Sequence, residues 1–270
     1  MERWRLIESP RLAGARNMAR DEAVLTASES GDRAPVLRLY GWATPTISIG
    51  YLQSAAPFAA HGIPVVRRIT GGRAVLHDRE ITYSVIAPNS LDVFAGGILN
   101  AYSAISLCII NALGDIGVEA SLERAGPRVD GSSGRSAKEA CFHTAARHEV
   151  KAGGKKLVGS AQRRFKKTFL QHGSILFGMD EDLNGRVFGK EVIERMTAIG
   201  NLSGISEDAF RAVLIKRLSE GLGASFVPSV LTEEEESLER DLLQSKYLSP
   251  EWNLSPGAPF GGNRGGLAAG

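Results

Sequence analysis

Between Pro64 and Pro88 the chain reads PVVRRITGGRAVLHDREITYSVIAP, two stretches rich in β-branched and apolar residues on either side of Gly71-Gly72. Valine, isoleucine, threonine and tyrosine suit the pleated surface of a strand, and adjacent glycines supply backbone conformations that other residues avoid. The pattern predicts a strand, a tight glycine connection and a second strand. Such a connection does not by itself need two arginines and a His-Asp pair, yet Arg67, Arg68, His77 and Asp78 all lie in it. Gly71-Gly72 also lack the Gly-Lys-Ser ending of a nucleotide-binding loop. The concentration of polar groups at a turn between apolar runs marks a candidate site.

The flanking sequence predicts a mixed order of helices and strands. Residues 17–28 space their apolar side chains at helical intervals, and VLRLYGW (36–42) and TISIGY (46–51) read as short strands separated by a turn. Ile98, Tyr102, Ile105, Ile109, Leu113 and Ile116 follow the three-and-four spacing of a long buried helix, with Cys108 in its core. The polar stretch 124–140 predicts a mobile loop leading into Cys141. HEVKAGGKKLVGSAQRR (148–164) predicts two strands joined at Gly153-Gly154, and TFLQHGSILFG (168–178) a third. Two helices follow, at 205–222 and 231–247, the second capped by Thr232 before an acidic first turn. The segment after Asn253 is Gly/Ala-rich with little to bury and is expected to be disordered.

Charge and composition narrow the function. A net charge of +2 over 270 residues argues against a nucleic-acid binder driven by bulk charge. No stretch reaches the ~18 uninterrupted apolar residues of a membrane span, so a cytoplasmic protein with no membrane partner is expected. Two cysteines, Cys108 and Cys141, are too few for a disulfide framework or a zinc cluster, and no metal is expected.

A second polar segment carries the remaining chemistry. GGKKLVGSAQRR places Lys156 at the start of a strand that passes through Gly159, Ser160 and Ala161, where small residues let a ligand approach the backbone. QHGSIL supplies His172 and Gly173 on the next strand. With Arg67 to Asp78 and Gly154 to Ala161 together, the chain resembles the lipoate-protein ligase superfamily, whose members attach lipoyl or octanoyl groups to a lysine of lipoyl domains. WRLI at Trp4 to Ile7, TGGRAVLHD, Cys141-Phe142 fifteen residues before Lys156, GSAQ, LQHGSIL, and Lys246-Tyr247 with Glu251 to Asn253 are similar to the single-domain octanoyltransferases.

That resemblance implies an α+β fold of the biotin/lipoate protein ligase type, related to class II aminoacyl-tRNA synthetases, as one catalytic domain over residues 1–253 with a mixed β-sheet and a tail over 254–270. It implies an acyltransferase that moves octanoyl from acyl carrier protein to a lysine of a lipoyl domain, such as the glycine cleavage H protein or a 2-oxoacid dehydrogenase E2, in lipoate biosynthesis, without a cofactor. Cys141 is the implied nucleophile and Lys156 its cationic neighbour. Arg68, Gly71, Gly72, Arg73, His77, Gly159, Ser160, Ala161 and His172 are the implied substrate-binding set. A thiolate is needed, and a nearby ammonium favours it. The acyl chain needs an apolar tunnel, and Arg163, Arg164, Lys166 and Lys167 are candidates for docking acidic protein partners.

Two departures from the octanoyltransferase pattern stand out: Ala145, Ala146 and His148 after Cys141-Phe142, and Arg20 within the first helix. They keep three alternatives open: an ATP-dependent lipoate-protein ligase, an amidotransferase between lipoyl domains, and a non-catalytic lipoyl-domain binder.

Overall fold

The computed structural model describes residues 1–123 and 149–255. The expected loop at 124–140, Cys141, the departures at Ala145, Ala146 and His148, and the expected tail from residue 256 lie outside the described residues. Alternation of side chains along β6 (Glu80–Pro88) organises the structure. Its Ile81, Tyr83, Val85 and Ala87 enter one apolar cluster, and Ile86 enters a second on the opposite face of the sheet. Both faces are therefore covered, and Glu80, Thr82 and Ser84 are buried.

β6 sits inside an eight-stranded mixed sheet of order β11-β1-β2-β6-β10-β9-β8-β7. Its other strands are β1 (Glu2–Leu12), β2 (Val36–Trp42), β7 (Ala120–Glu123), β8 (Glu149–Ala152), β9 (Lys155–Arg164), β10 (Thr168–Leu176) and β11 (Ala224–Pro228). β1 runs parallel to β2 and β11, and the neighbours from β2 to β7 are antiparallel. The first cluster is closed by α2 (Ile98–Asp115) and α5 (Glu207–Leu222), and the second by α1 (Gly14–Ser30) and α6 (Glu233–Leu242). Short helices α3 (Glu181–Phe188), α4 (Lys190–Glu194) and α7 (Pro250–Leu254) complete the set.

The capping of α6 follows its sequence: Thr232 Oγ1 accepts from the Glu235 amide, and the Glu235 carboxylate accepts from the Thr232 amide. The same carboxylate pairs with Arg5 at 2.6 Å and ties the helix to β1. Beyond Leu242 the expected single helix becomes a wider turn over Leu243–Tyr247. Cys108 is buried as expected, and its thiol donates to the Ala104 carbonyl at 3.2 Å. By length and mean hydropathy (18 residues, 1.3) α2 passes the test for a membrane span that the sequence reading found nowhere. Its Ala101, Ile105, Cys108, Ile109, Ala112 and Leu113 are instead buried in the first cluster.

Pairing around Gly71-Gly72 differs from the expected hairpin. β4 (Val65–Arg67) and β5 (Val75–His77) do not pair with each other; both pair with β3 (Thr46–Ile49), in a separate sheet of order β4-β3-β5. The run 74–88, expected as one strand, divides between this small sheet and β6 in the large one. The glycine segment is thus a loop spanning both sides of β3.

Candidate active site

Arg68 occupies the space between β4 and β5. Its buried guanidinium donates to the carbonyls of Gly71 at 2.8 Å, Arg73 at 2.8 Å and Ser48 at 3.0 Å, and to Thr70 Oγ1 at 3.1 Å and Ser48 Oγ at 3.0 Å. Burial pulls its pKa down to about 10, which leaves it cationic at neutral pH. The arginine gathers the carbonyls of its own loop, and that separates β4 from β5. Gly72 takes φ +94°, in the region that favours glycine. Gly50 lies directly beneath: a Cβ there would sit 2.1 Å from the Gly72 carbonyl oxygen.

Two imidazoles support Arg68 from opposite sides. Ser48 Oγ contacts His77 Nε2 at 2.7 Å, and His77 Nδ1 contacts Glu80 Oε1 at 2.8 Å. Thr70 Oγ1 contacts His172 Nε2 at 2.8 Å, and His172 Nδ1 contacts Asp21 Oδ2 at 3.1 Å. Glu80 also accepts from Trp42 Nε1 and Ser174 Oγ, and the Trp42 ring stacks on His77 with centroids 3.8 Å apart. Asp21 accepts from Arg38 and Tyr40 as well. Burial opposes ionisation of both acids, but the His77, Ser174 and Thr82 donors hold Glu80 below its usual range, and Arg38 with His172 does the same for Asp21. His77 and His172 are themselves buried, inside the loop's supports.

Lys156 enters from β9. The register with β8 slips between Val150 and Lys151, so that Val150 faces Val158 while Lys151 faces Lys156, leaving Leu157 as the extra residue of a bulge. The lysine chain lies across Gly159, where a Cβ would come within 2.9 Å of its Cε, and its ammonium pairs with Glu149 at 2.8 Å. Ala161 stands opposite His172 in the β9-β10 ladder, and His172 reaches Thr70 in the glycine loop. This chain of contacts links the Lys156 strand to the loop across one face of the sheet. Ser160 belongs to the other face, where it stands opposite Gly173 and its hydroxyl meets Tyr83 at 2.7 Å. Arg73 contributes its carbonyl to Arg68 and is itself exposed.

The late Lys246-Tyr247 and Glu251 to Asn253 segments return to the same place. Fully buried Arg67 donates to the carbonyls of Gly50, Tyr51, Gln53, Trp252 and Asn253, while the Trp252 indole donates to the Arg67 carbonyl. Lys246 pairs with Glu22 at 2.8 Å and lies 3.9 Å over the Trp252 ring. Arg20, an anomaly in the sequence, is explained by its bidentate pairing with Glu239 of α6.

The four basic residues of the β9-β10 hairpin separate in space. Lys166 and Lys167 are exposed at its tip, whereas Arg164 bonds Gln162 and lies over Phe169, and Arg163 lies over Tyr51. Clefts of about 660 and 460 Å³ occur beside Asp115 and Arg217, and beside Phe177 and Asn201. Neither is lined by Lys156 or the glycine loop, so neither is the expected acyl tunnel. Sequence reasoning missed Glu149, Asp21, Glu80 and Ser48. Only Glu149, two positions before the Lys151 that faces Lys156, left a local signal.

A family model for the lipoyl protein ligase A/B catalytic domain matches residues 13–219. The chain is 39% identical to an octanoyltransferase LipM of Kyrpidia tusciae over 94% of this chain and 99% of that one, and 36% identical to one of Brevibacillus brevis with the same coverage. Among solved structures, a lipoate-protein ligase A bound with ATP superposes with TM-score 0.76 at 29% identity, covering 93% of this chain and 98% of that one. A bipartite lipoate protein ligase from Thermoplasma acidophilum, solved in a study of that enzyme and its E2 lipoyl domain, gives TM-score 0.76 at 26% identity and covers 94% and 97%. With the Arg68 loop and the Lys156 strand joined on one sheet face, and with these matches over nearly the whole chain, the protein belongs to the lipoyl protein ligase A/B catalytic-domain family.

Proposed function

We propose that this protein is an octanoyltransferase that takes octanoyl from acyl carrier protein and delivers it to a lysine of a lipoyl domain, such as the glycine cleavage H protein, through a thioester on Cys141. The observation that carries this reading is the similarity to octanoyltransferases LipM over 99% of their length. Residues 1–253 act as one catalytic domain.

In the first step the Cys141 thiolate attacks the octanoyl thioester carbonyl, a new thioester forms, and the phosphopantetheine thiolate leaves. In the second the lipoyl-domain amine attacks that carbonyl, an amide forms, its extra proton is lost to solvent, and the cysteine thiolate is released. Exchange of one thioester for another is nearly neutral and aminolysis runs downhill, so ATP has no role. A free thiol with a pKa of ~8.5 is mostly protonated at neutral pH, and the Lys156 ammonium favours the thiolate. Glu149 holds that ammonium at 2.8 Å, so the lysine acts from a fixed position. Loop amides near Gly71-Gly72 are the nearest candidates to receive the oxyanion.

A second reading, ATP-dependent ligation of free lipoate or octanoate, is favoured by the ATP-bound ligase of similar fold. One experiment separates the two. Purified protein incubated with octanoyl-acyl carrier protein and no ATP should gain one octanoyl mass increment, removable by neutral hydroxylamine. Cys141→Ala should abolish transfer, and Lys156→Ala should slow acylation and move its pH profile to more alkaline values. Near wild-type transfer by Cys141→Ala without ATP would refute the covalent route. Loading of a lipoyl domain only from free acid plus ATP would establish the ligase.

A further inference from the structure

We infer that Glu80 and Asp21 are positioning residues for the transfer reaction: through His77 and Ser48 on one side, and His172 and Thr70 on the other, they fix the Arg68 guanidinium and with it the direction of the glycine-loop amides. This inference rests on the proposed octanoyl transfer. The two arms have the same composition: a buried carboxylate, an imidazole, a hydroxyl and one guanidinium.

Proton accounting shows what the arms do. An ionised carboxylate only accepts, so Nδ1 of each imidazole must carry the proton that faces Glu80 or Asp21. In a neutral ring Nε2 is then an acceptor, and each hydroxyl donates its proton there while accepting from Arg68. Every donor and acceptor along both arms is used, which leaves the guanidinium one orientation. Arg68 in turn accepts no alternative partners: its remaining donors go to the carbonyls of Gly71 and Arg73. Because a trans peptide places C=O and N–H on opposite sides, the amides of Gly72 and Ala74 point away from Arg68. The loop surface from Gly71 to Arg73 is exposed, so those amides are turned toward the side from which a substrate carbonyl arrives.

A second proton on either ring reverses this. Nε2 becomes a donor, the hydroxyl proton loses its acceptor among the described residues, and Arg68 loses one support. Asp21 from α1, Arg68 from the loop, and His77 from β5 face His172, with Arg38 and Tyr40 of β2 and Tyr247 behind Asp21. Burial lowers the proton affinity of His172, against the pull of Asp21, with Arg68 and His77 adding to the lowering. The unfolded chain therefore binds more protons than the folded one below about pH 6.5, and stability is lost as the pH falls through that window.

The test has one arm that does not depend on the reaction. Long-range proton–nitrogen NMR of the full-length protein at pH 7 should show His77 and His172 with protonated Nδ1 and bare Nε2, assigned by loss of each signal in H77Q and H172Q. The other arm is kinetic, with octanoyl-acyl carrier protein and a lipoyl domain. E80Q should lower kcat about ten- to hundredfold with the KM for the lipoyl domain unchanged, since it misaligns a reacting geometry rather than a docking surface. H172A should lose kcat, while H172Q, whose amide oxygen can accept from Thr70 and cannot take up a proton, should retain most of it and lose the acid limb of the kcat profile. An Nε2-protonated tautomer at either ring overturns the inference, as does E80Q that raises KM and leaves kcat intact. If the wild-type protein transfers no octanoyl, the proposed reaction falls and the relay is decided by the tautomers alone.

Discussion

Gly50→Ala tests whether the position of the glycine loop, rather than its mere presence, sets the rate. An alanine Cβ at position 50 would lie 2.1 Å from the Gly72 carbonyl oxygen, 3.0 Å from its carbonyl carbon and 3.2 Å from that of Gly71. All three are backbone atoms, so no side chain can swing aside. An ordinary carbon–oxygen contact is about 3.3 Å, and the loop must therefore retreat by about 1 Å. Arg67 fixes the other side of Gly50 by bonding its carbonyl, which forces the movement into Gly71-Gly72. Overpacking of this kind costs about 1–3 kcal/mol of stability. A displacement of about 1 Å in a reacting geometry costs on the order of a hundredfold in rate. Thermal unfolding and single-turnover transfer from octanoyl-acyl carrier protein, measured on the same preparation, should show a folded protein with a modestly lower Tm and a rate about two orders of magnitude down. A Gly50→Ala protein with wild-type rate and wild-type Tm would refute the reasoning, because the loop would have proved able to shift without consequence.

Two further outcomes follow from packing and charge. At Gly221 a Cβ would meet Cys108 Sγ at 2.4 Å where α5 crosses α2, so Gly221→Ala should destabilise by about 1–3 kcal/mol in the wild-type background. In a Cys108→Ala background the clash is gone and the same change should become neutral or stabilising by ~0.5–1 kcal/mol, with transfer unaffected throughout; denaturant unfolding reads the change of sign. Reversing charge at Lys166 and Lys167 alone, which leaves the Arg164 contacts with Gln162 and Phe169 intact, should raise the KM for an acidic protein substrate at low salt and leave kcat unchanged. Unaltered kinetics at low salt would make the hairpin tip a solvated turn only.

Local periodicity and capping made much of the secondary structure legible. The helices around Cys108 and before Ser30, the strand carrying Lys156 and the Thr232 cap all depend on residues within one or two turns of each other. The strand partners were not legible in the same way. β4 and β5 read as a hairpin because their separation in sequence is short, yet Arg68 draws the intervening carbonyls inward and both strands find β3. β1, which pairs with β2 and β11, carries WRLI and was recognised only as a motif. Charged residues on helices were the least legible of all. Asp21, Glu22 and Arg20 occupy consecutive turns of α1 and read as a solvated face, but their partners Arg38, Lys246 and Glu239 come from other parts of the chain. No local window contains those pairs.

The same argument explains why the site lies where it does. Along β6 the order Glu80-Ile81-Thr82-Tyr83-Ser84-Val85 alternates as a strand with one wet face should, and both faces are nevertheless buried. Burying the polar face is unfavourable unless each group finds a partner. Glu80 finds four, in His77, Trp42, Thr82 and Ser174, and the imidazole among them connects it to Arg68. The apolar stability of the fold is supplied largely from the opposite face, where Ile81, Tyr83 and Val85 pack with α2 and α5. One face of the same strand can therefore specify the geometry of the loop while the other holds the domain together, which is why a period-two pattern in nine residues encodes both the core and the floor of the candidate site.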